Sequence, residues 1–271
     1  MENPSEDGPG YWLLPKDLSD LHDEVIEYSV LVQTGAARKQ EEKQHFPLTH
    51  SALSSMHLRA ILIHRAVRTL CEFGWTPVAP ILLRTLLDII ASCRALTVDG
   101  RNSEYMGFKY LGTSLIQFLI GPAMTPAQQQ QNREQLENLL SALTPEDRSR
   151  AEQYIAGFTK PPAYWYNPEQ ASPAKILSTA SPELQHAYRA LSGSTHGGFI
   201  GSALFDDTPE AAQVNPREHP RRTQAAIVMS SRLLLDITYI RDVIEAIGST
   251  DYYRHILNDL FLPLQASVGR E

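Results

Sequence analysis

Arg189, Ser192 and His196 stand three and four positions apart in the stretch AYRALSGSTHGG, residues 187–198. On a helix they fall at about 0°, 300° and 340°, so all three share a sector of about 60°. A guanidinium and an imidazole on one face suit anion chemistry. The arginine neutralises a phosphate or carboxylate, and the histidine, titrating near neutral pH, takes up or delivers a proton. Gly197 and Gly198 stop such a helix, because glycine enters the left-handed cap conformation without a Cβ clash. His196 is therefore expected in the last turn, where the negative end of the helix favours imidazolium. The plainer alternative for His196 is a capping or core histidine bonded to a backbone carbonyl.

A second polar pair, Arg84 and Asp88, sits four apart in the otherwise apolar RTLLDIIASCR. Either the two neutralise one another within the helix, or Arg84 faces a phosphate or carboxylate while Asp88 orients it or a nearby histidine. Sites in helical bundles are built from side chains on facing helices. If these two helices converge, Arg189 and Arg84 become anion clamps and Ser192, Tyr188 and Asp88 orienting groups.

Weaker constellations lie elsewhere. NPREHPRR carries Arg217, His219, Arg221 and Arg222 ahead of a helix N-terminus, and reads as a solvated loop or as a contact for RNA or a nucleotide. His57 and His64 lie seven apart with Arg65 and Arg68 alongside, but no cysteine or carboxylate completes a metal-ligand pattern. No metal site and no cofactor are expected. GxSxG, Walker A and GxGxxG patterns are absent, which removes support for the common hydrolase, triphosphatase and dinucleotide readings.

The elements that must position these residues are helices. Apolar residues recur at helical spacing nearly everywhere, and period-two alternation never lasts beyond a handful of residues, so the class is all-α. A long first helix is expected from Asp17 to about Gln44. A core helix follows from Thr49 or Ser51 to Cys71, stopped by Gly74. Pro77 and Pro80 suit the first turn of the next helix, which runs to about Thr97 and whose unbroken apolar character implies burial on nearly all sides. EYMGFKYLGTSLIQFLIG is a fourth helix ending at Gly121 and Pro122, and two polar, peripheral helices each begin with a Thr-Pro cap. The aromatic, proline-rich run FTKPPAYWYNPEQASP is expected as an ordered loop, and the helix of Arg189 starts near Ser181. A long loop covers 197–222, then TQAAIVMSSRLLLDITYIRDVIEAIG forms another amphipathic helix and DYYRHILNDLFLPLQ closes the fold. One domain of about seven to nine helices, with a polar tail over residues 1–15, accounts for the 271 residues.

The formal charge of −7 argues against a broad basic surface for long DNA or RNA, leaving room for a local anion site. Cys71 and Cys93 fall within apolar patterns and are expected as buried, reduced thiols. An acidic N-terminus and apolar runs interrupted by charge point to a cytoplasmic chain with no membrane span.

LLRTLLDIIASCRAL, followed about a hundred residues later by AYRALSGSTHGG, resembles a bacterial helical family of unknown function. That family pairs an Arg-x-Leu-(Leu/Phe)-acid helix with a Tyr-x-x-Leu-Ser-x-x-x-His-(Gly/Pro) helix. The matching residues here are Arg84, Leu86, Leu87 and Asp88, then Tyr188, Leu191, Ser192, His196 and Gly197. With the aromatic run around Trp165, the similarity spans roughly residues 75–205. The second segment is also similar to the HEPN superfamily motif, an arginine separated from a histidine by four to six residues, met here by Arg189, six residues and His196. Ala190 departs from that motif, which usually has a polar residue just after the arginine.

The HEPN resemblance implies a helical-bundle core at about 48–247, with extra helices around it. It also implies a homodimer in which arginine and histidine form a composite, metal-independent RNA-cleaving site. His196 would then be the general acid or base at the ribose 2′-OH or leaving oxygen, and Arg189 would stabilise the phosphorane. The expected function is thus a ribonuclease of toxin or phage-defence type. The alternative is a non-catalytic helical module that binds a nucleotide-like anion or a partner protein.

Overall fold

A computed structural model describes residues 14–43, 47–97, 104–120, 124–158, 165, 172–195 and 220–268. Among these residues there is no strand, and the chain is a multi-helix bundle, as the periodicity requires. The helices are α1 (Lys16–Lys43), α2 (Pro47–Glu72), α3 (Ala79–Ala95), α4 (Glu104–Ile120), α5 (Pro126–Ser141), α6 (Pro145–Ala156), α7 (Pro173–Ser178), α8 (Pro182–Thr195), α9 (Pro220–Ile244), α10 (Thr250–His255) and α11 (Leu262–Val268). A 3₁₀ turn at Thr76–Val78 leads into α3, and a π-helical turn at Ile256–Phe261 joins α10 to α11.

Helix α9 is the hub, packing on α1, α2 and α3. The packing follows from the stripes each helix carries. Leu18, Leu21, Val25, Tyr28, Val32 and Ala36 recur every three or four residues along α1, and all are buried. Ile227, Leu234 and Ile237 of α9 meet them in one core that also takes Leu53, Met56 and Ala60 of α2 and Leu83, Leu86, Leu87 and Ile90 of α3. Helix α3 buries one broad face, from Ala79 through Leu83, Leu86, Leu87, Ile90 and Cys93, but not the nearly complete circumference expected from its composition, since Ile81 and Asp88 face solvent where α3 lies at the edge of the bundle. The stretch Thr76–Ala95 is long and apolar enough by composition to cross a membrane, and half of it lies buried in the bundle. Both cysteines are free and buried, and burial pushes their thiols up, Cys71 to about 11 and Cys93 to about 12.

Helices α5 and α6 are peripheral, as their polar composition implies. With α4 they close a smaller cluster around Phe108, Ile116, Leu136, Leu140 and Ala151. Gly107 lets α4 reach α2, since a Cβ there would lie 2.5 Å from the Thr49 nitrogen. The Thr-Pro caps form as read: Thr125 and Gln128 make a reciprocal capping box, and Thr144 accepts from the Asp147 N–H.

The helix stops are equally local. Gly74 takes a φ of 79° after α2, with Trp75 N–H bonded to Leu70 O at 2.7 Å and Gly74 N–H to Cys71 O at 3.2 Å, a Schellman turn. The same bonds close α9, from Ile247 N–H to Asp242 O and from Ala246 N–H to Val243 O, but here the left-handed residue is Ala246, at φ 51°.

Two further differences from the sequence expectation have physical reasons. Helix α7 arises inside the stretch read as loop, because Ser172 caps it by accepting from Lys175 N–H and Pro173 suits its first turn. The C-terminal run divides at the π turn ahead of Pro263, whose missing N–H and bulky ring oppose a regular α-turn. Together these raise the number of helices above the expected range. The tail before Leu14, and most of the aromatic run and the loop after α8, lie outside the described residues.

Candidate functional site

Helices α7 and α8 form a hairpin laid across α3, and this contact builds the site. Tyr188 and Ser192 lie one turn apart on α8 and face Arg84 of α3. The Arg84 Nε donates to Ser192 Oγ at 2.9 Å, its Nη2 donates to Tyr188 OH, and its Nη1 pairs with Asp88 one turn along α3. The guanidinium carbon sits 3.5 Å from the centroid of the Tyr188 ring, so the flat cation is stacked as well as hydrogen-bonded. Ser192 Oγ then donates to Tyr188 O at 2.7 Å, which fixes the direction of its proton.

All three nitrogens of Arg84 are thus engaged within the chain. In this arrangement Arg84 positions α8 against α3, and an incoming anion would reach the guanidinium by displacing Asp88. Asp88 is the partner open to solvent, with its side chain 44% exposed against 12% for Arg84. Arg189, the residue after Tyr188, points outward and is exposed. It makes no ion pair among the described residues, so it is the cation on α8 available to an external phosphate. Four of the expected site residues, Arg84, Asp88, Tyr188 and Ser192, are therefore brought together, with Arg189 at their edge. His196 follows the last residue of α8 and lies outside the described residues, as do Arg217 and His219. Arg221 and Arg222 are exposed in the first turn of α9. No group of three or more His, Cys, Asp or Glu side chains suited to a metal ion occurs among the described residues.

A second polar cluster went unread in the sequence. Arg241 of α9 is 1% exposed, yet its Nε donates to Glu245 at 3.0 Å, Nη1 to His57 Nδ1 at 3.0 Å and to Gln33, and Nη2 to Ser54 at 2.8 Å. Arginine cannot accept, so His57 Nδ1 is the acceptor and the ring proton sits on Nε2, which donates to Thr238 Oγ1 at 3.0 Å. Thr238 donates in turn to Ser29 Oγ, and Ser29 to Val25 O. Burial, aided by the Arg241 charge, pushes His57 down to about 3, so the ring is neutral. His50 closes the outer side by bonding Glu245 at 2.8 Å.

Nearby, Asp242 accepts from Tyr28 OH at 2.9 Å and from the N–H groups of Gly248 and Ser249. His22 and His64 stack at 4.2 Å, and both are held below the usual histidine range, chiefly by burial. These groups tie α1, α2 and α9 together, and their enclosure marks an architectural network. The signal in the sequence was Arg241 and Glu245, four apart on an amphipathic helix, a pattern shared with any solvated ion pair.

Comparison with known proteins supplies a family and little else. No curated protein matches the chain, and no solved structure does. One family model, described as a family of unknown function (DUF5677), matches residues 50–211. The match takes in nearly all of α2, every helix from α3 to α8, the Arg84 clamp, Arg189 and His196. It stops short of α9 and its basic first turn. With more than half of its length matched, the chain belongs to the DUF5677 family of unknown function.

Proposed function

We propose that the α8 face is the working part of a metal-independent ribonuclease of toxin or defence type, with Arg189 and His196 as its reacting pair. The observation that carries this reading is the Arg84 clamp. A stacked, multiply bonded arginine holds Tyr188 and Ser192 of α8, four residues ahead of a histidine in sequence and beside an exposed arginine that makes no ion pair among the described residues. Catalysis of this kind needs a rigid helix presenting a cation and an imidazole.

In the reaction, the ribose 2′-oxygen attacks the adjacent phosphorus and the bond to the 5′-oxygen breaks, leaving a 2′,3′-cyclic phosphate. His196 handles one of the two proton transfers, from the 2′-OH or to the departing 5′-oxygen. Arg189 meets the charge that builds on the phosphorane. As in the HEPN proteins it resembles, a second copy of the chain would complete the site. The test is incubation of the purified protein with mixed cellular RNA in EDTA, alongside His196→Ala and Arg189→Ala variants with wild-type circular dichroism. Cleavage by the wild type alone is the expected result; equal cleavage by all three proteins rules the pair out.

A second reading has its own observation. Arg84 already spends its bonds inside the chain, as it would in a non-catalytic module that binds a nucleotide-like anion or a partner protein. The net charge of −7 is also easier to reconcile with such a module than with an RNA-binding surface. Inactivity of the wild type on RNA, with unchanged folding in all three proteins, favours this alternative.

A further inference from the structure

Ahead of the Arg84 clamp, the 3₁₀ turn and first turn of α3 and the start of α9 flank a half-open cavity of about 230 Å³. Thr76, Pro77, Pro80 and Leu83 form one wall, and Arg222, Ala225, Ala226 and Met229 form the other. The two walls are assembled by sequence spacing. Arg222, Ala225, Ala226 and Met229 recur at three, four and seven residues along α9, so they make one continuous face. Small alanines in the middle of that face leave the space open, and a buried hydroxyl pair, Thr76 with Thr223 at 3.1 Å, pins the two walls together at one edge.

From this geometry we infer that the cavity is a binding site for a small amphiphilic anion, with an apolar body between the proline and alanine walls and a carboxylate-type head on Arg222. The chemistry is asymmetric. Among the described residues, and apart from Thr76, which is already paired, Arg222 is the only lining residue with a polar side chain, and it is exposed in the first turn of a helix 25 residues long. A cation at the rim, seconded by the positive end of that helix, fixes the sign of the head group.

Volume fixes the size of the body. An apolar cavity of roughly 150 Å³ accommodates benzene, so one about half as large again takes roughly nine heavy atoms, the size of benzoate or a medium-chain carboxylate. Ligands that small bind in the high-micromolar to millimolar range. The site is independent of the ribonuclease reading: Leu83 lines it, whereas Arg84, the next residue, turns away to α8.

The test is titration of the full-length chain with benzoate and with its uncharged isostere benzamide, read by calorimetry and by ligand-observed saturation-transfer NMR. Benzoate is expected to bind the wild type, and benzamide about tenfold or more weakly. Ala225→Phe, at an exposed position on the cavity wall, is expected to abolish binding without disturbing the core. Arg222→Gln is expected to bring benzoate down to the level of benzamide. No binding of benzoate at millimolar concentration would overturn the inference. So would equal binding of the two probes, which would make the cavity merely apolar, or benzoate binding that survives both substitutions, which would place it elsewhere.

Discussion

Arg84 illustrates how one side chain divides between structure and chemistry. Its side chain is 12% exposed and meets a serine, a tyrosine ring and hydroxyl, and an aspartate. Replacing it with alanine strands the Ser192 and Tyr188 partners and removes the stacked cation, at a cost of about 2 kcal/mol by urea unfolding. Arg84→Lys should recover less than half of that, because an ammonium cannot fork between two hydroxyls and lie flat on a ring. Asp88→Asn, by contrast, keeps an oxygen facing Arg84 and removes only the charge of the more exposed partner, so it should cost less, about 0.5–1 kcal/mol.

His57 carries a pH signature. In the folded chain it titrates near about 3, and unfolded near about 6.5. Between those values the unfolded chain binds the extra proton. The stability conferred by the neutral ring is therefore complete above about pH 6.5 and drains away on acidification, by up to about 1.4 kcal/mol per pH unit. His22 and His64 move in the same direction. His57→Gln, which keeps an acceptor for Arg241 and a donor for Thr238, should flatten the slope between pH 6.5 and pH 4 in unfolding experiments. An unchanged slope would show that His57 is not a source of the acid sensitivity. The Arg84 group was legible because isolated charges on apolar helices stand out. The Arg241 network was not, because His57 lies 184 positions away and no spacing rule reaches that far.

Helix boundaries were the most readable feature, because caps and stops are decided within a few residues. Thr125, Thr144 and Gly74 each act as their types dictate. Ser172 and Pro173 carried the same signal for α7, but prolines and aromatics around them hid a helix only six residues long. The end of α9 departs from the rule in an informative way. Ala246 occupies the left-handed position that glycine fills at residue 74. A Cβ there costs about 1–2 kcal/mol, partly offset by the greater freedom glycine gives the unfolded chain. Ala246→Gly should therefore stabilise the protein by about 0.5–1 kcal/mol, visible as a rise in Tm. A fall in Tm would mean that the Ala246 methyl group contributes more than its conformation costs. Pairing between helices was less legible than their ends: the contact of α8 with α3 follows from which apolar faces meet, and sequence periodicity specifies each face without its partner.

For the molecule as a whole, an acidic chain built around one hub helix places two chemically distinct features along α3: the clamp that steadies α8 and the cavity at Arg222. Fold class could be read from periodicity alone, whereas function could not, since family membership here supplies no activity. The charge of −7 confines any RNA contact to a local patch, so activity should fall with added salt less steeply than for a protein that neutralises many phosphates. The most direct test is a single-turnover assay in EDTA on two oligonucleotides of one sequence, one all-ribose and one with a 2′-deoxy sugar at the cleaved position. The expected result is cleavage of the ribose strand to a 2′,3′-cyclic phosphate end, abolished by the 2′-deoxy substitution and by His196→Ala. Cleavage of both strands, or cleavage that persists without His196, would contradict it.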